Sequence, residues 1–236
     1  MKTEALHDWY NRRAREIWTD HFKKHDALPG MSLFPIQRPK FEDAPDLVMV
    51  GMNPSFVTRS RNPDAPHLGW RPFTDGLIEQ FIVEEDAART NYTVFYGRID
   101  KFSEAAGAES PEDLDLLPLR HTNQAEVLVG HWNKQGEPNE FVQECLLHFK
   151  EALRRMDPKV VVVANAAASR LVVRLLSLER RARGRFYSSL DMPRTTFFLS
   201  GMLSGQRALD EFSMDRLAAD VRAVLRPDED PQAASL

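Results

Sequence analysis

The residues best suited to chemistry in this 236-residue chain are two asparagines that follow apolar runs, Asn53 and Asn123. A side-chain amide carries one acceptor oxygen and a two-proton donor, but it does not titrate. Any reaction built on Asn53 therefore rests on holding a reactant in place rather than on strong general-base catalysis. Asn53 comes directly after Leu47-Val48-Met49-Val50-Gly51-Met52. That short, continuous apolar run suits a strand buried on both faces. Gly51 admits a close backbone or ligand approach, and Pro54 cannot donate to a ladder, so the strand stops there. Asn53 is thus expected at the carboxyl end of a central strand, where ligands bind in open parallel sheets. A plain strand-to-loop junction, with Asn53 closing its own turn, is the alternative.

Other residue groups have a chemical and a structural reading. His21 and His25 stand at i, i+4, a metal-binding spacing, but no third ligand accompanies them and Lys23 and Lys24 lie between, so no metal is expected. His121 precedes Asn123 by two residues; on a strand both would point to one face. It is either a spare polar group there or a structural histidine. The loop over residues 54–75 carries Arg59, Arg61, His67, Trp70, Arg71 and Phe73, with Pro63, Pro66 and Pro72 among them. Arginines with exposed aromatics grip phosphates and stack bases, whereas Trp70 and Phe73 packed onto the core would be purely structural. The densest basic patch, Glu179-Arg180-Arg181-Ala182-Arg183-Gly184-Arg185 with Arg170 and Arg174, faces phosphates or is a solvated helix end.

These residues need a scaffold, and the length supplies one: a single domain with a sizeable core, made of an N-terminal helix and linker (1–45), a core (46–226) and a polar tail (227–236). Composition is that of a globular protein, 42% hydrophobic and 28% charged. A formal net charge of −4 gives no global basic field, so any nucleic-acid contact must use a local patch. One cysteine, Cys145, excludes a disulfide framework, a protein-held iron–sulfur cluster and a thiolate zinc site within the chain. No apolar leader is visible and no run approaches 18 apolar residues, so no membrane partner and a cytoplasmic location are expected.

Apolar periodicity predicts helices over 3–25, 76–85, 141–156, 166–178 and 212–225. Strands are expected at Leu47–Gly51, Leu119–Asn123, Lys159–Ala164 and Thr196–Ser200. Their alternation with helices predicts an α/β fold, a three-layer αβα sandwich around a mostly parallel four-stranded sheet.

Gly51-Met52-Asn53-Pro54-Ser55 resembles the first motif of the uracil-DNA glycosylase superfamily, in the branches where Asn follows the Gly-x pair. The similarity extends through the strand order, the Asp157-Pro158-Lys159 step, the small-residue turn Asn165-Ala166-Ala167-Ala168 and the last helix, over roughly residues 45–225. In the position of the family's second motif, a His or Asn followed by Pro-Ser, this chain has Ser200-Gly201-Met202-Leu203-Ser204-Gly205-Gln206-Arg207, without His or Pro.

The resemblance implies excision of a flipped-out base, uracil or a related damaged one, from DNA, with no cofactor and with DNA as partner. It makes Asn53 the holder of the attacking water and Ser200 or Ser204 a donor to the departing base. Main-chain groups around Gly51, Met52 and Ser55 would face a carbonyl of the base, Phe56 would stack on it, and Asn123 would read its edge. Met202 and Leu203 would wedge into the duplex, and Arg59, Arg61 and Arg207 would contact the backbone. One rival is a protein of this fold that binds nucleic acid or a nucleotide without cutting it. Another, a small-molecule enzyme on a flavodoxin-like sheet, lacks a Gly-rich phosphate loop or a serine elbow to support it.

Overall fold

Val160-Val161-Val162-Val163 forms the centre of the fold. These residues are fully buried, and β-branched side chains on both faces favour a pleated strand covered on each side. A computed structural model of the chain describes residues 4–22, 34–38, 40–42, 44–52, 73–91, 93–121, 132, 137–181, 185–203 and 208–228, without the side chains of 88–95. Within them the elements are α1 (Leu6–Phe22), β1 (Leu47–Gly51), α2 (Asp75–Asn91), α3 (Thr93–Ala105), β2 (Pro111–Asp115), α4 (Glu140–Met156), β3 (Val160–Ala164), α5 (Ala166–Leu175), β4 (Glu179–Arg180), β5 (Phe186–Ser188), β6 (Thr196–Ser200) and α6 (Glu211–Leu225).

The chain divides into two compact units interleaved in sequence. One holds Met1–Phe41, Met52–Ala87 and Asp115–Ala152; the other holds Glu42–Gly51, Ala88–Leu114 and Leu153–Leu236. The second unit carries the sheet. Among the described residues it has six strands in the order β2-β1-β3-β6-β5-β4. β1, β3 and β6 are mutually parallel, and β5 and β4 continue antiparallel. The fold is therefore α/β, but its sheet is mixed and six-stranded rather than a four-stranded, mostly parallel one.

The sheet margins differ from the expected ones. Of the strand expected at Leu119–Asn123, Leu119 and Arg120 carry no strand, His121 makes a single bridge, and residues 122–123 lie outside the described residues. Residues 116–120 carry no strand, Leu117 N donates to Met52 O (3.0 Å), and Ile36 N donates to Pro118 O (2.9 Å). Pro118 has no N–H to extend a ladder. The strand forms earlier, at Pro111-Glu112-Asp113-Leu114-Asp115, where Glu112 is buried because its carboxylate accepts from Glu42 N (3.0 Å) and Asp113 N (2.9 Å). The β4–β5 hairpin was not anticipated at all; its segment reads as a basic patch.

One face of the sheet, lined by Leu47, Met49, Val160, Val162 and Phe198, packs on α3 and α6 through Tyr96, Ile99, Phe102, Ala218, Val221 and Leu225. The alternate residues Val48, Val50, Val161, Val163 and Phe197 point to the opposite face. α5 packs against β3 and β6 and contributes nothing to the first cluster. α3 stops at Gly107, whose φ of +70° is the left-handed turn glycine permits, with Ala108 N donating to Ser103 O (3.0 Å).

The first unit is built on aromatic contacts. Tyr10 meets Phe41 edge-on at 5.1 Å, and Trp18 meets Phe141 edge-on at 5.0 Å. Phe34 gathers Phe73 and Phe81 at 5.6 and 4.8 Å, so Phe73 is a packing residue. Glu85, itself buried, faces the guanidinium groups of both Arg38 and Arg120.

Candidate active site

Parallel register decides which chain segments can meet at the edge of the sheet. Val50 pairs with Val163, Val163 with Leu199, and Ala164 with Ser200. Gly51 is the next residue of β1, so Gly51, Ala164 and Ser200 form one row at the carboxyl ends of three adjacent strands. Side chains alternate along each strand, which puts this row on the face that carries Met49, Val162 and Phe198. All three residues are small. The position is the one where open parallel sheets bind ligands.

The junction after β3 is fixed by capping. Asn165 has an extended backbone (φ −164°, ψ 130°), and its side-chain oxygen accepts from Ala167 N (2.9 Å) and Ala168 N (3.1 Å). It is the N-cap of α5, which explains why Asn precedes a run of alanines.

The junction after β6 is a pinned loop. Leu209 N donates to Met202 O (2.8 Å), and Met202 and Ala208 form an isolated parallel bridge. Arg98 of α3 donates from Nη1 to Leu203 O (2.7 Å). Gly201 allows this closure, since a Cβ there would come within 3.3 Å of the Leu209 side chain. Asp210 then caps α6 by accepting from Ser213 N (2.8 Å), and the same bonds hold its carboxyl below the usual carboxylate range. The sequence gives a hint of this cap in Asp210 followed by Ser213, but none of the Arg98 tether, which joins residues 105 positions apart.

The expected site residues therefore separate into three sets. Gly51 and Ser200 are brought into one row, and Met52, which follows Gly51, is buried. Met202 and Leu203 differ sharply despite similar chemistry. Met202 is 36% exposed, whereas Leu203 is 3% exposed and lies in the core cluster of the sheet. Leu203 is thus a packing residue, part of the buried cluster that covers one face of the sheet. Asn53, Ser55, Phe56, Arg59, Arg61, Asn123, Ser204 and Arg207 lie outside the described residues.

Two of the remaining chemically capable groups are buried, and a third is paired, where described. Cys145 is buried, and burial pushes its thiol well up, so it is no thiolate nucleophile. His121 is buried at 2% exposure. His21 faces Glu144 at 3.4 Å, and among the described residues no three His, Cys, Asp or Glu side chains converge as metal ligands. Among those residues no helix is long and apolar enough to cross a membrane.

No protein-family model matches the chain, and no curated protein matches its sequence.

Proposed function

We propose that the chain is a base-excising hydrolase of the uracil-DNA glycosylase type, acting on uracil or a related damaged base flipped out of DNA. The observation that carries this reading is the in-register row Gly51–Ala164–Ser200. From its two outer strands leave the two segments that resemble the family's paired motifs, one running to Asn53 and one to Met202. Three of the four strands expected of that fold correspond to β1, β3 and β6; β2 precedes the expected second strand, and β4–β5 is an addition.

In this reading the N-glycosidic bond breaks, a water oxygen bonds to the sugar C1′, and the base leaves with the bonding electron pair and takes a proton. Asn53 orients the water through its side-chain oxygen, a positioning role worth several kcal/mol of barrier in well-aligned sites, about 7–11 at the extreme. Main-chain N–H groups near Met52 and the Ser200 hydroxyl donate to the base as negative charge develops. Asn123 reads its donor–acceptor edge. Met202 is the apolar side chain free to enter the gap left by the flipped nucleotide, at an unstacking cost of a few kcal/mol.

A second reading is a binding protein of the same architecture that does not cut. The state of Leu203 favours it: of two apolar residues in the loop, one is withdrawn into the core, and the loop carries serines in place of the family's charged donor.

The test is base release from labelled oligonucleotides carrying uracil opposite G, opposite A and in a single strand, with alkaline cleavage of abasic sites. Release that disappears in Asn53→Ala, with affinity for the oligonucleotide kept, supports the hydrolase. No release on any of the three with enzyme in excess, alongside specific binding, supports the second reading.

A further inference from the structure

The topology puts the densest basic segment at the same end of the sheet as the candidate site. β5 runs antiparallel to β6, with Phe186 opposite Phe198 and Tyr187 opposite Phe197. β4 runs back along β5, with Arg180 opposite Tyr187, and Arg181 N donates to Phe186 O (3.1 Å). The chain therefore leaves β4 and enters β5 at the end where β6 reaches Ser200. Arg180, Arg181 and Arg185 are all exposed; Arg181 and Arg185 flank the turn at that end, and Arg180 stands one residue further back, level with Tyr187 and Phe197. Among the described residues no carboxylate is paired with Arg180 or Arg181, while Arg185 stands 3.7 Å from Asp220 on α6 with both partners reaching solvent. An exposed pair at that distance contributes little and exchanges readily for a phosphate. Glu179, at the far end of β4, is the acidic residue of the hairpin strands.

We propose that the β4–β5 hairpin is a phosphate-contacting arm that holds a nucleic-acid strand along the carboxyl edge of the sheet. This rests on the nucleic-acid reading of that edge and adds the contact surface that a chain of net charge −4 otherwise lacks. The arginines alternate between the two faces of the sheet, Arg180 with Tyr187 and Phe197, Arg181 with Phe186 and Phe198. A strand crossing the edge meets cations on both sides. Neighbouring strands are about 4.8 Å apart, so β4 lies about 10 Å from β6. At a rise of about 3.4 Å per nucleotide, that is about three nucleotides from the base held near Ser200. The hairpin therefore touches only substrates with at least that much flanking strand. A short, charged edge strand also blocks edge-to-edge pairing between sheets, the role that a negative result would leave.

The experiment compares wild type, the triple variant R180Q/R181Q/R185Q and the control R194Q, whose arginine is exposed just before the opposite end of β6. Binding of a fluorescent 21-nucleotide single strand with a central uracil is followed by anisotropy across a salt series, with circular dichroism to check the fold. Taking three cations away from the phosphates lowers the slope of log affinity against log salt by about 2. R194Q keeps the wild-type slope, and on a 5-nucleotide strand the triple variant and wild type coincide. The arm is overturned by an unchanged slope in the triple variant, by equal loss in R194Q, by equal loss on the 5-nucleotide strand, by wild type that binds no strand, or by polyglutamate of equal charge competing as well as DNA. Base release separates the two readings. A reduced slope with no base released by wild type keeps the arm and removes the hydrolase; release in single turnover with an unchanged slope does the reverse.

Discussion

The imidazole of His148 lies 4.3 Å, centroid to centroid, from the ring of Tyr10 and 5.1 Å from that of Trp9, and neither of its nitrogens meets a hydrogen-bond partner among the described residues. Burial, with a smaller contribution from the Arg13 charge, pushes its pKa down to about 3. The same enclosure pushes the Tyr10 hydroxyl well up. Both rings are held neutral in an aromatic box.

A pH dependence follows from His148. In the unfolded chain the imidazole takes a proton near pH 6.5, while in the folded chain it stays neutral down to about pH 3. Between those values the unfolded state binds more protons, so stability is full above pH 6.5 and falls as pH falls, by at most about 1.4 kcal/mol per pH unit. Urea unfolding of wild type and His148→Phe between pH 8 and pH 4.5 measures this. The variant has the shallower dependence; parallel curves would falsify the assignment.

Asn165→Ala removes the acceptor shared by two α5 amides at the carboxyl end of β3. The expected loss is about 1–2 kcal/mol, or roughly 2–8 °C in thermal midpoint for a chain of this size. Asn165→Asp keeps an acceptor oxygen and regains most of it. Equal losses in both variants would mean that the side chain does something other than cap.

Met202 and Leu203 give opposite outcomes. Leu203→Ala opens a cavity in the core cluster that holds Phe198 and Val221 and lowers stability by about 2–5 kcal/mol. Met202→Ala changes stability by no more than about 0.5 kcal/mol but weakens base release and binding of duplex more than of single strand, because only a duplex has a gap to fill. Chemical denaturation and the oligonucleotide assays read the two effects separately.

Glu85→Gln takes away the carboxylate that Arg38 and Arg120 both face in a buried setting. Loss of one member of such a cluster costs about 3–5 kcal/mol, since the cations stay desolvated. Glu85→Asp, which keeps the charge on a shorter stem, is expected to fall between. A Glu85→Gln protein as stable as wild type would show that the cluster is already hydrated.

How much the sequence determined follows from where each element finds its hydrogen bonds and its apolar cover. β1 and β3 are runs of four buried apolar residues, and α4 is an amphipathic helix with Phe141, Cys145, Phe149 and Leu153 on its buried side; each pattern is complete within its own segment. The carboxyl ends of β1 and β6 were legible for the same reason, and so was the α/β class. What the sequence did not contain was partnership. Pro111-Glu112-Asp113-Leu114-Asp115 has no apolar run to mark it as a strand, and its Glu112 carboxylate is held by Glu42 N, 70 residues away. Glu179-Arg180 looks like a solvated helix end until Tyr187 and Ser188 pair with it, and only that antiparallel pairing carries the chain beyond it, through Arg181, to the end of the sheet where Ser200 lies. Met202 and Leu203 are interchangeable as letters; packing against α3 and α6 makes one a surface group and the other core. Local periodicity fixes a buried element because its own side chains carry the driving force. Edge strands and loop side chains derive theirs from residues far along the chain, so their place was decided only by the tertiary structure.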